Sequence, residues 1–85
     1  MAHVKIYSSD YCPYCSRAKA LLQQRGVTDY EEIVVDGKPE LRAQMTKLTG
    51  RTSVPQIFVG ETHVGGCDDL HALDRNGGLA PLLQA

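Results

Sequence analysis

The chain changes its hydrophobic period twice within the first 35 residues, and this limits the folds open to it more than any other feature. Val4 and Ile6 alternate around Lys5, which suits a short strand ending near Tyr7. From Pro13 the spacing becomes helical. Tyr14, Ala18, Leu21 and Leu22 recur on one face, Pro13 fits a first-turn position that needs no amide donor, and Gly26 is a natural stop. A second extended run, Glu32 to Val35, carries Ile33-Val34-Val35 and is broken by Asp36-Gly37 as a turn, so it reads as a buried strand. Strand, helix and strand in this order form a βαβ unit, with two parallel strands and a right-handed crossover.

The remainder completes a sheet. Leu41, Met45 and Leu48 predict a helix between Pro39 and Gly50. Gln56 to Val59 and Thr62 to Val64 flank the two-residue connection Gly60-Glu61, which predicts an antiparallel hairpin. Leu70 and Leu73 share one face of a further helix that begins near Cys67 to Asp69 and ends at Asn76-Gly77-Gly78. Leu79 to Leu83 add one helical turn. The expectation is an α/β fold in which a four-stranded mixed sheet carries helices on both faces. At 85 residues the chain is expected to be one domain, residues 1–85, with a modest core.

Nine basic and ten acidic residues give a net charge of -1, and no run of like charges occurs. An extended nucleic-acid or membrane surface is therefore not expected, although a small anionic ligand needs only a local positive site. The first twenty residues contain Lys5, Asp10, Arg17 and Lys19 and no continuous apolar block, so no secretory signal is read there and the expected location is the cytoplasm. Three cysteines, an odd number, fit a reducing compartment better than a disulfide-stapled secreted domain.

Two of those cysteines stand in "CPYC", Cys12 to Cys15, where the first strand's loop meets the first helix. Three chemistries compete for such a pair. A structural disulfide closing so short a loop gains only about 2 kcal/mol of chain entropy, and a cytosol would tend to reduce it. A zinc site needs four ligands, and Cys67 with His63 or His71 would have to complete the set, since His3 lies too far into the first strand. Dithiol redox chemistry asks for a nucleophilic thiolate at an accessible helix N-terminus, where unpaired amides stabilise negative charge, and for a second thiol one turn away. Cys12 and Cys15 meet those conditions as nucleophile and resolving thiol, and a Cys-x-x-Cys beside a βαβ pattern is the signal expected of this chemistry.

"CPYC" is followed by "TSVPQIF" at Thr52 to Phe58 and "GGCDD" at Gly65 to Asp69. With these motifs in this order, the chain resembles the glutaredoxins of the small bacterial dithiol type nearly from end to end. That resemblance implies a thioredoxin-like fold and glutathione as electron donor and co-substrate, with no tightly bound cofactor. It also implies a cis peptide between Val54 and Pro55, whose backbone pairs with the cysteinyl part of glutathione. On its own, Pro55 reads as the residue that starts a strand. By the same resemblance Asp68 accepts from the γ-glutamyl ammonium, with Gly66 and Cys67 offering backbone contacts. Asp69 is expected as a helix cap, Tyr14 as cover for the bound thiol, and Cys67 as a partly buried thiol.

Many family members carry a Lys shortly before the cysteines, whereas this chain reads Ser8-Ser9-Asp10-Tyr11. Ser9 supplies no charge, which leaves Arg42 as the expected partner of the glycyl carboxylate and Thr52 as a polar contact. The implied substrates are protein disulfides and protein-glutathione mixed disulfides, ribonucleotide reductase among the family's candidates, and a monomer is expected. Two rivals stay open at this point: a redoxin reduced by thioredoxin reductase, and a module carrying a metal or an iron-sulfur cluster.

Overall fold

In a computed structural model that describes residues 2–85, eight elements follow one another. They are β1 (Val4–Ser8), α1 (Pro13–Gln24), β2 (Glu31–Val34), α2 (Pro39–Thr49), β3 (Gln56–Val59), β4 (Thr62–Gly65), α3 (Cys67–Arg75) and α4 (Leu79–Gln84). The strands form one sheet in the order β2-β1-β3-β4. β1 pairs parallel with β2 and antiparallel with β3, and β3 pairs antiparallel with β4. This is the four-stranded mixed sheet expected from the sequence.

Alternation along β1 and β3 separates two cores. Val4, Ile6, Ile57 and Val59 face α1, α3 and α4, packing with Ala18, Leu21, Leu22, Leu70, Leu79 and Leu83. Tyr7 and Phe58 point to the other face, where α2 supplies Met45 and Leu41. Tyr7 and Phe58 meet edge to face at 6.2 Å, and the Lys5 ammonium lies 5.5 Å and 5.3 Å from their ring centroids. α2 ends at Gly50, whose left-handed φ of 73° lets its amide bond the Thr46 carbonyl.

Several expectations change. β2 covers Glu31–Val34 rather than Glu32 to Val35, and it is an edge strand, not a buried one. Glu31 and Glu32 are exposed, Ile33 and Val34 are half-buried, and burial is completed only at Val35, whose amide still bonds the Ser8 carbonyl. An edge strand keeps one side free of a partner, so a β-branched run does not require enclosure on every side. On α2, Met45 is buried but Leu48 is 51% exposed, because the helix covers only part of its sheet face. α4 runs for six residues, longer than the single turn expected.

At the start of the crossover, Ser8 is fully buried and its hydroxyl donates to Glu32 Oε2 at 2.6 Å, while Lys19 pairs with the same carboxylate. Lys19, and then the Ser8 hydroxyl, hold the Glu32 carboxyl below the ordinary carboxylate range. A depressed folded value means that this contribution is present above the unfolded pKa and disappears as pH falls through the folded one. Glu32→Gln is therefore expected to lower the urea midpoint at pH 7 and to shrink the difference between the midpoints at pH 7 and pH 3, both read by equilibrium unfolding.

Candidate functional site

Cys12 is the N-cap of α1. Its backbone is extended, its carbonyl accepts from the Ser16 amide at 3.1 Å, and its sulfur accepts from the Cys15 amide at 3.1 Å. An N-cap ordinarily uses a side-chain oxygen for this bond. Here the sulfur takes that place, so an otherwise unpaired helical N–H points at the atom that would carry thiolate charge. As a thiol, Cys12 donates to the Val54 carbonyl at 3.8 Å, a long contact suited to sulfur. Cys12 is half-exposed, whereas Cys15, inside the first turn, is 1% exposed. Burial, reinforced by the bond with Cys12, pushes the Cys15 thiol up to about 12.

A groove of about 270 Å3 opens at Val54, whose carbonyl lies within 3.8 Å of the Cys12 sulfur. Its lining combines Tyr14 from α1, Arg51 to Gln56 without Thr52, and Gly66 to Asp69 at the start of α3. Along one wall runs Ser53-Val54-Pro55, with a cis peptide between Val54 and Pro55. Opposite lies the N-terminus of α3. The Gly66 amide donates to Asp69 Oδ2 at 2.9 Å, and Arg51 donates to the same oxygen at 2.7 Å. Arg51, followed by the Gly66 amide, lowers the Asp69 carboxyl below its usual value. Asp69 thus caps the helix as expected, while Asp68 is left exposed at the groove.

Most of the expected binding residues are brought together here: Tyr14, Val54, Pro55, Gly66, Cys67 and Asp68 all line the groove. Arg42 and Thr52 do not. Arg42 donates to the Thr52 carbonyl at 2.8 Å and thereby fastens α2 to the segment behind the wall. Cys67, expected as partly buried, is 4% exposed, and its thiol is raised mainly by that burial. It sits in the α1 and α3 core with His71 Nδ1 at 3.5 Å. Ser9, where a Lys was the family expectation, donates to Asp36 Oδ1 at 2.7 Å, and the Asp10 amide donates to Asp36 Oδ2 at 2.8 Å. The Asp10 amide and the Ser9 hydroxyl depress the Asp36 carboxyl, so a carboxylate braces the loop that leads to Cys12.

Sequence reasoning passed over Arg51, Ser53 and Gln56 as lining residues. Their signal was adjacency, since all three lie in or beside the quoted "TSVPQIF" run. His63 Nε2 lies 2.8 Å from Gln56 Oε1, and its ring sits 5.1 Å from that of Phe58. Among the described residues, no group of three or more His, Cys, Asp or Glu is gathered as a metal site. No helix of the described residues is long and apolar enough to cross a membrane.

This combination of a four-stranded mixed sheet, a Cys-x-x-Cys at a helix N-terminus and a cis-proline wall defines a thioredoxin-like thiol-disulfide site. The family model described as Glutaredoxin matches residues 4–64. The chain is 62% identical over 85 residues to the glutaredoxin of Pseudomonas aeruginosa, covering all of both chains. It is 56% identical over 84 residues to glutaredoxin 3 of Escherichia coli, covering 99% of this chain and 100% of the relative. The solution structure of glutaredoxin from Brucella melitensis is similar at a TM-score of 0.85 and 53% identity, over 98% of this chain and 89% of that one. A buckwheat glutaredoxin-glutathione complex matches at a TM-score of 0.89 and 36% identity, over 98% of this chain and 77% of that one.

The chain belongs to the glutaredoxin family and is a glutathione-dependent thiol-disulfide oxidoreductase.

Two outcomes follow from this geometry. In timed alkylation of the reduced protein with iodoacetamide at pH 8, Cys12 is expected to be labelled first and Cys15 and Cys67 slowly, as read by fragmentation mass spectrometry that localises the label to the residue. Gly65 has φ +117°, and a Cβ there would overlap the Asp69 carboxylate, so Gly65→Ala is expected to destabilise the protein by roughly 1 kcal/mol or more in urea unfolding.

Proposed function

We propose that Cys12 is the nucleophile, that Cys15 resolves, and that the groove between Val54-Pro55 and the N-terminus of α3 holds the glutathionyl moiety. The observation that carries this reading is the position of the Cys12 sulfur, capped by the Cys15 amide and 3.8 Å from the Val54 carbonyl at the groove. With a protein-glutathione mixed disulfide, the Cys12 thiolate attacks the glutathione sulfur. The protein sulfur leaves as a thiolate and takes up a proton. The thiolate of a second glutathione then attacks the glutathione sulfur of the adduct, releasing glutathione disulfide and the Cys12 thiolate.

With a protein disulfide, Cys12 first forms a mixed disulfide with the substrate. Cys15 gives up its proton and attacks the Cys12 sulfur, which closes the Cys12-Cys15 bridge and frees the substrate as a dithiol. Two glutathione molecules restore the pair and leave as one disulfide. The high value of Cys15 keeps it protonated and unreactive until Cys12 has been consumed, which directs initial attack to one sulfur.

The wall and the helix start suit the ligand's polar ends. The backbone at Val54 pairs with the cysteinyl part, while the Gly66 and Cys67 region of α3 faces the γ-glutamyl carboxylate and Asp68 its ammonium. Support comes from the glutathione-bound buckwheat relative, which shares the fold over 98% of this chain. Tyr14, 56% exposed at the lip, covers the thiol side. Arg51 takes the place expected of Arg42 as the cation nearest the ligand, and Arg42 with Thr52 supports the wall from behind. The 85 residues work as one monomeric cytoplasmic domain, with glutathione as a co-substrate and not as a resident cofactor.

Cys12→Ser is expected to lose all activity, whereas Cys15→Ser keeps removal of glutathione from a glutathionylated peptide and loses reduction of protein disulfides. Both are measured by coupling glutathione disulfide formation to glutathione reductase. Activity retained in Cys12→Ser would refute the assignment.

A further inference from the structure

Gln56 is the first residue of β3 and is fully buried, with its side chain on the α2 face of the sheet among Tyr7, Phe58 and His63. A buried primary amide costs free energy unless both of its ends are paired. Gln56 Nε2 donates to the Ser53 carbonyl at 3.0 Å, which turns Oε1 the other way as an acceptor. His63 Nε2 meets that oxygen at 2.8 Å and must therefore carry its proton. Burial, and then the positive charge of Arg51, push the imidazole below its usual value. The ring is thus neutral near pH 7, with its one N–H committed to Gln56. Among the described residues no buried side-chain polar atom lacks a partner, so this amide is satisfied by these two bonds.

The chain of bonds ends at a functional place. Ser53 and Val54 form the groove wall, and the Val54 carbonyl is the one within reach of the Cys12 sulfur. Nothing in the βαβ half holds the Ser53 carbonyl, because residues 50–55 lie between α2 and β3 outside the sheet ladder. A β-bulge between Ile57 and Phe58 shifts the register so that His63 stands opposite Phe58 and reaches diagonally to Gln56. The hairpin's second strand thereby reports to the wall through two hydrogen bonds.

We propose that His63 is a positioning residue for glutathione binding, acting through the Gln56 amide to fix the Ser53 carbonyl and with it the Val54 backbone. The proposal rests on the glutathione reading of the groove. The hydrogen bond of His63 goes to Gln56 rather than into the groove, so it sets how well the wall is formed before the ligand arrives. Its loss is therefore felt in the affinity for the glutathionyl moiety more than in sulfur chemistry at Cys12.

The test uses three variants of the full chain, with KM and kcat measured for a glutathionylated peptide under coupling to glutathione reductase, and thermal melts confirming that each is folded. His63→Phe keeps the ring against Phe58 and removes the donor, whereas His63→Gln places an amide N–H at similar reach. Asp68→Ala perturbs the opposite side of the groove. His63→Phe is expected to raise KM by about fivefold or more with kcat within about twofold, and His63→Gln to restore KM most of the way. Equal KM increases in His63→Phe and His63→Gln would overturn the proposal, since the donor would not matter. Unchanged KM in His63→Phe beside a raised KM in Asp68→Ala would overturn the relay alone. Unchanged KM in both would overturn it together with the glutathione reading of the groove.

Discussion

The bond from the Cys15 amide to the Cys12 sulfur is the link on which the candidate site depends. It makes the sulfur of the proposed nucleophile part of a helix terminus, so its position is as fixed as the helix itself. The helix is fixed by ordinary packing: Ala18, Leu21 and Leu22 bury against Val4, Ile6, Ile57 and Leu70 in the larger core. Pro13 at the first helical position needs no donor, and Cys12 in extended backbone starts the turn. The same arrangement gives the two thiols opposite characters. One is half-exposed and faces an amide, and the other is buried one turn later with its proton held tightly.

A nucleophile alone would attack any accessible disulfide; in the proposed reaction selectivity comes from the wall and the helix start that line the groove. Each is held by polar contacts remote from the sulfurs. Asp69 ties the start of α3 to Arg51, Arg42 ties α2 to the Thr52 carbonyl, and Gln56 ties the Ser53 carbonyl to His63. On the near side, Asp36 braces Ser9 and Asp10 in the loop that delivers Cys12. Around one groove stand Tyr14 from α1, Arg51 and Ser53 to Gln56 from the segment before and at β3, and Gly66 to Asp69 at the start of α3. The hydrophobic layers set the distance between sheet and helices, and the polar ties set the groove's shape.

Much of this was legible in the sequence because it follows from local pattern. Val4-Lys5-Ile6, the helical spacing after Pro13, the Gly60-Glu61 turn and the "CPYC" position each specify their element with little help from tertiary context. What could not be read was pairwise and long-range. The exposure of β2 depends on its place at the sheet edge, which no residue in Glu31–Val34 encodes. Leu48 has the helical phase of a core residue yet is left exposed. Arg42 and Arg51 are both plausible cations by composition, and only the direction of each side chain separates a residue lining the groove from one supporting it. Ser9 supplies no charge, yet its hydroxyl has a structural task with Asp36, 27 residues away, that no local pattern announces.

In the proposed reaction Cys12 alone among the three thiols forms the glutathione adduct. Incubating Cys15→Ser with glutathione disulfide, digesting it without reduction and mapping the peptides by mass spectrometry tests this directly. One glutathione is expected, carried on the peptide containing Cys12. An adduct on the Cys67 peptide, or a protein that remains unmodified, would contradict it.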